Sequence, residues 1–133
     1  MSQVRVTVGD LTFACRREGN PDDPAVVLIR GLGTQMIEWS EVFIAALVSG
    51  GLQVISFDNR DVGESSKLSG GYSLDDMAAD VVGIMVGLGI DRAHIFGISL
   101  GGMVAQLVAV NFPERVNCLF SVMSSSGAAD LPR

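Results

Sequence analysis

Ser99 stands in the run Gly97-Ile98-Ser99-Leu100-Gly101, and these five residues hold the clearest chemistry in the chain. A serine hydroxyl is a weak nucleophile. It must be held where both a base and a carbonyl carbon can reach it. The run is preceded by apolar residues 93–96, which read as a buried strand, and followed by residues 102–109, which read as a helix. A sharp turn from strand to helix is how G-x-S-x-G exposes its serine. Gly97 and Gly101 have no Cβ, so strand and helix can pass close to the turn. The helix then aims its free N–H groups at the site.

A second glycine-rich turn, Arg30-Gly31-Leu32-Gly33-Thr34-Gln35, follows the apolar run 25–29. A loop after a central strand lies at the carboxyl edge of the sheet, where open α/β sheets bind ligands. Acyl transfer at a serine needs two N–H donors on the developing oxyanion. The candidates are Leu100 N–H, just after Ser99, and Leu32 N–H from this loop. Gly31 and Gly33 are the glycines that let its backbone come close.

Other residues of chemical type read as structural. Asp58-Asn59-Arg60-Asp61-Val62-Gly63-Glu64-Ser65 suits a turn held by side-chain hydrogen bonds and an Asp–Arg pair. Its functional alternative is Asp58 as a catalytic acid, which would precede the serine in the chain, against the usual order of serine, acid, histidine. His94 is the one histidine. It opens the strand that Ser99 ends, which at about 3.3 Å per residue puts it well over about 10 Å from the hydroxyl. It reads as a partly buried structural histidine, and Trp39 and the helically spaced methionines read as core. No cluster of His, Cys and carboxylates suggests a metal, and no cofactor is expected.

The 133 residues allow one domain at most, with 48% hydrophobic residues and a net charge of −6. That charge argues against nucleic acid as a partner. No apolar run is long enough to cross a membrane, and the alternating start of the chain is not a signal peptide. Cys15 and Cys118 lie far apart in apolar runs, so two buried free thiols in a reducing, cytoplasmic setting are expected.

Residues 3–8 and 11–17 read as an antiparallel hairpin joined by Gly9-Asp10. Strands are expected at 25–29, 52–57, 93–96 and 116–123, and helices at 38–48, from Ser73 to Gly89, and after Ser99. Leu74, Met77, Ala78, Val81, Val82, Met85 and Leu88 form one apolar stripe. Strands alternating with helices mean a mostly parallel sheet with helices on both faces.

The sequence resembles the α/β-hydrolase superfamily, and within it the esterases similar to aclacinomycin methylesterase. The resemblance runs through R-G-L-G-T-Q-M-I-E-W from Arg30, F-D-N-R-D-V-G-E-S from Phe57, G-I-S-L-G-G-M from Gly97, and the segment from Ala109 to Val116. It implies the N-terminal part of an α/β-hydrolase fold, with strand order 1-2-4-3-5-6. It also implies Ser99 as nucleophile, Leu100 and Leu32 as oxyanion donors, and a small-molecule ester as substrate. Many relatives carry His at position 30 and close ones an apolar residue, where this chain has Arg30.

In the family a lid follows the sixth strand, and later strands bring the catalytic acid and histidine. The expectation is therefore a single incomplete core domain, residues 1–133, that holds the nucleophile without its base. Asp130 sits in what resembles the entry to the lid. Three readings follow: a carboxylic-ester hydrolase acylated at Ser99, a non-catalytic truncated or split-enzyme chain needing a partner segment, or a small-ligand binding protein. The strand at 116–123, apolar on both faces, is the expected site of self-association or of a partner chain.

Overall fold

A computed structural model describes residues 2–31, 33–67 and 71–126. Leu32 and Asp130 lie outside the described residues. The N-terminal hairpin pairs β1 (Ser2–Val8) with β2 (Leu11–Glu18), with Val8 opposite Leu11 at its closed end. β2 then runs antiparallel to β4 (Gln53–Phe57), and from β4 onward every pairing is parallel: β4 with β3 (Ala25–Ile29), β3 with β5 (Ala93–Ile98), β5 with β6 (Val116–Val122). The order across the sheet is β1-β2-β4-β3-β5-β6, as the resemblance implies.

β3 shows why its sequence is apolar throughout. Ala25, Val27 and Ile29 join one core cluster, while Val26 and Leu28 join another on the opposite face. A strand covered on both sides has no solvent face to alternate with. The first cluster packs under α2 (Leu74–Gly87) and α3 (Leu100–Asn111), through Met77, Val81, Ile84, Val104 and Val108. The second packs under α1 (Glu41–Ser49), through Ile44, with Met36 and Trp39.

Helix α2 begins where its side chains dictate. Ser73 accepts a hydrogen bond from the Asp76 N–H at 3.1 Å, and Asp76 returns one from the Ser73 N–H at 2.8 Å. This reciprocal capping box satisfies two orphan donors. The expected helix at 38–48 divides instead into a short 3-10 turn, Met36–Glu38, and α1, which starts at Glu41. Ser40 stops one and starts the other, since its side chain accepts the Phe43 N–H at 3.4 Å.

β6 breaks the pattern. It stands at the edge of the sheet, and beyond Val116 its residues are exposed, including Leu119, Phe120 and Val122. Cys15 is buried as expected, but Cys118 on β6 is exposed, correcting the expectation of two buried thiols. The apolar character of the strand is real; the described residues do not cover it.

Candidate active site

Two glycine contacts build the turn that carries Ser99. A Cβ on Gly97 would fall on the Gly101 carbonyl, and one on Gly101 would fall on the Ile29 carbonyl. The end of β5, the start of α3 and the end of β3 are therefore in backbone contact, an approach open only to residues without a side chain. Between the two glycines, Ser99 adopts φ 57 and ψ −123. A positive φ is costly for a non-glycine residue, and such strain persists only where the surroundings enforce it. Here the Ser99 N–H is tied to the Val122 carbonyl at 2.9 Å, and the Ser99 carbonyl accepts the Gly102 N–H at 2.9 Å.

Ser99 occupies the N-cap position of α3, yet its side chain makes no capping hydrogen bond. An N-cap serine ordinarily gives its oxygen to the first turn. The strained backbone turns this hydroxyl outward, and Ser99 is exposed. It lines an open cavity of about 400 Å³ together with Leu100, Met103, Met123, Ser124 and Ser125. Leu100 is the first residue of α3, so its N–H is one that the helix cannot use itself. Gly31 comes up from the other side. A Cβ there would lie 3.3 Å from Ser99 Cβ and 3.7 Å from its Oγ.

Leu100 also lines a second cavity of about 520 Å³, bounded by Gly31, Gly33, the turn at 59–62 and the start of α2. Arg60 forms one wall. Its Nε and Nη2 donate to Asp80 of α2 at 2.7 and 2.8 Å, and its guanidinium lies 5.0 Å from the centre of the Tyr72 ring. The hydrogen bond to Asp80 holds the guanidinium above its ordinary pKa. Burial pushes the Asp80 carboxyl up, although Arg60 pulls it the other way. The Asp–Arg pair expected inside the run 58–65 thus reaches across to a neighbouring helix. Burial and a hydrogen bond to Asp61 raise the Tyr72 hydroxyl as well.

Asp58 is buried at the end of β4, and its carboxylate accepts the Met36 N–H at 2.8 Å and the Glu64 N–H at 3.1 Å. Asn59 donates to the Arg30 carbonyl at 3.3 Å. The two residues tie the glycine-rich loop at both ends, in keeping with a structural role for this run. Nothing in the sequence separates them from other turn residues, because the loop partners, Met36 N–H and the Arg30 carbonyl, lie more than twenty positions away.

His94 sits elsewhere. It pairs with Val26 in the register of β5 and β3, and it lines an apolar cavity of about 280 Å³ with Phe43, Phe96, Cys118 and Phe120. Its Nδ1 is buried without a partner among the described residues. Trp39 is core, as expected, stacked on Phe43 and edge-on to Phe96.

The family model for the alpha/beta hydrolase fold matches residues 24–133. The chain belongs to this family. It is 33% identical over 129 residues to rhodomycin D methylesterase of Streptomyces peucetius, covering 95% of this chain and 43% of that protein. It is 34% identical to 3-oxoadipate enol-lactonase 2 of Acinetobacter baylyi, covering 84% of this chain and 41% of the lactonase. A crystal structure of a hydrolase from Pseudomonas aeruginosa superposes with a TM-score of 0.90 at 29% identity, over 96% of this chain and 48% of that one. The chain thus spans under half the length of these relatives.

Proposed function

We propose that this chain carries the acylation half of a serine hydrolase acting on small-molecule carboxylic esters. Ser99 Oγ attacks the ester carbonyl. Leu100 N–H and Leu32 N–H receive the oxyanion, the acyl group passes to Ser99, and the alcohol leaves. Hydrolysis of the acyl-serine completes the cycle. The observation that carries this reading is the backbone of Ser99, at φ 57 and ψ −123, with a side chain not used for capping at the mouth of a helix. Relatives named as a methylesterase and an enol-lactonase support hydrolysis of an ester bond.

The serine needs a base, and His94, the chain's single histidine, is at the wrong end of β5. Five steps along the strand separate them, about 16 Å at the usual rise. In this reading the base, with the acid that orients it, is supplied by further polypeptide or a second chain. The alternative is a non-catalytic chain, and the exposure of β6 favours at least a dependence on a partner segment. Two unpaired cysteines suit a reducing compartment such as the cytoplasm. Among the described residues no helix is long and apolar enough to cross a membrane.

Hydrolysis of p-nitrophenyl acetate by the 133-residue chain, compared with Ser99→Ala, tests this. Loss of the base costs several orders of magnitude in turnover. The two proteins should therefore be indistinguishable in turnover. A large Ser99-dependent rate would reveal a base within the chain and overturn the division of the site.

A further inference from the structure

Two neighbouring strands end on the same kind of residue. Ile98 of β5 pairs with Val122 of β6, and the next residue on each strand, Ser99 and Met123, has a positive φ, 57 and 49. That conformation is uncommon for a side chain as bulky as methionine and points to a functional constraint. The Val122 carbonyl accepts the Ser99 N–H at 2.9 Å, so the turn at Met123 begins at the bond that holds the strained serine.

The segment after β6 is pinned to α3. Gln106 Nε2 donates to Ser121 Oγ at 3.0 Å and to the Ser125 carbonyl at 2.8 Å, one bond on each side of Met123. An amide nitrogen carries two protons, so both bonds form together. Gly102 lets the segment lie this close, since a Cβ there would fall 2.6 Å from Ser124 Cβ and 2.7 Å from Ser121 Oγ. With its neighbours tied to the helix, Met123 is left 75% exposed in the cavity that Ser99 lines.

Leu100 and Met103 line the same cavity, and none of its described lining residues is charged. Unbranched thioether side chains fit apolar groups of irregular shape. A charged group placed there would give up water and meet no counter-charge among these residues. In acyl transfer the alcohol leaves while the acyl group stays bonded to the serine oxygen. The cavity lined by Ser99 itself is therefore the resting place of the acyl chain.

We propose that Met123 is a specificity-determining residue that packs on the acyl chain, and that the substrates are esters of uncharged, apolar acyl groups. This rests on the reading of Ser99 as the nucleophile.

The test uses the 133-residue chain with imidazole as the base and three alkanesulfonyl fluorides, whose chains are butyl, carboxypropyl and trimethylammoniopropyl. Ser99 Oγ bonds to sulfur, fluoride leaves with the electron pair, and imidazole takes the serine proton. The adduct is located by peptide mass mapping. Each rate is divided by that of the reagent's own imidazole-catalysed hydrolysis, which removes differences in intrinsic reactivity.

The butyl reagent should label Ser99 about tenfold faster than either charged one, the worth of roughly two methylene groups taken out of water. Met123→Leu should keep that preference to within about twofold. Met123→Glu should abolish it and raise the ammonium reagent over the carboxylate one by about fivefold relative to the unaltered chain. Equal normalised rates for the three reagents, a leucine variant that loses the preference, or a glutamate variant that slows all three alike overturns the role of Met123 and leaves Ser99 as nucleophile. No labelling of Ser99 by any reagent overturns the nucleophile reading, and the role of Met123 with it.

Discussion

Asp58 accepts the Met36 N–H at 2.8 Å, so the end of β4 holds the far side of the glycine-rich loop that begins at Arg30. The bond joins residues twenty-two positions apart and is buried. Asp58→Ala leaves the Met36 N–H without a partner. A hydrogen bond to a charged group, plus the orphaned donor, gives an expected loss of roughly 2–3 kcal/mol in urea denaturation. A change under about 0.5 kcal/mol, typical of an indifferent surface site, would show that the clamp does not hold the loop.

Much of the architecture was legible in the sequence. The unbroken apolar run at 25–29 announced the central strand β3, and the apolar stripe from Leu74 to Leu88 announced α2. The G-x-S-x-G turn was readable because its mechanics are local. Strand, glycine, serine, glycine and helix are contiguous, and the strained φ of Ser99 follows from what surrounds it. Long-range pairings were not readable. Arg60 could have paired with Asp58 or Asp61, and only the placement of α2 brings Asp80 within 2.7 Å. Cys118 misled for a different reason. Hydrophobicity records what a strand is suited to pack against, whereas burial depends on what covers it.

The two thiols should differ sharply in reactivity. Cys15 is fully buried, and burial, helped by the nearby charge of Asp58, pushes its pKa up to about 12. The thiolate is the reactive form, so Cys15 should be inert at pH 8. A disulfide-exchange reagent should titrate one thiol quickly in the native chain and a second only in denaturant. Cys118→Ser should abolish the fast phase. Two fast thiols would mean that β2 is not packed as described.

β6 should make the chain associate. Leu119, Phe120 and Val122 are 40%, 50% and 37% exposed, and the strand pairs only with β5 among the described residues. An apolar strand with a free edge is a template for another strand. Sedimentation at micromolar concentration should show self-association that Phe120→Lys weakens. A monodisperse, cooperatively melting monomer would contradict this.

The central claim is that Ser99 is a nucleophile already positioned and lacking only its base. Imidazole in solution can stand in for that base. The 133-residue chain would be treated with a fluorophosphonate ester, with and without imidazole, and the adduct located by peptide mass mapping. The account predicts a single phosphonylated serine, Ser99, formed much faster with imidazole and absent in Ser99→Ala. Equal labelling of Ser124 or Ser125, which line the same open cavity, or labelling indifferent to Ser99→Ala, would contradict it.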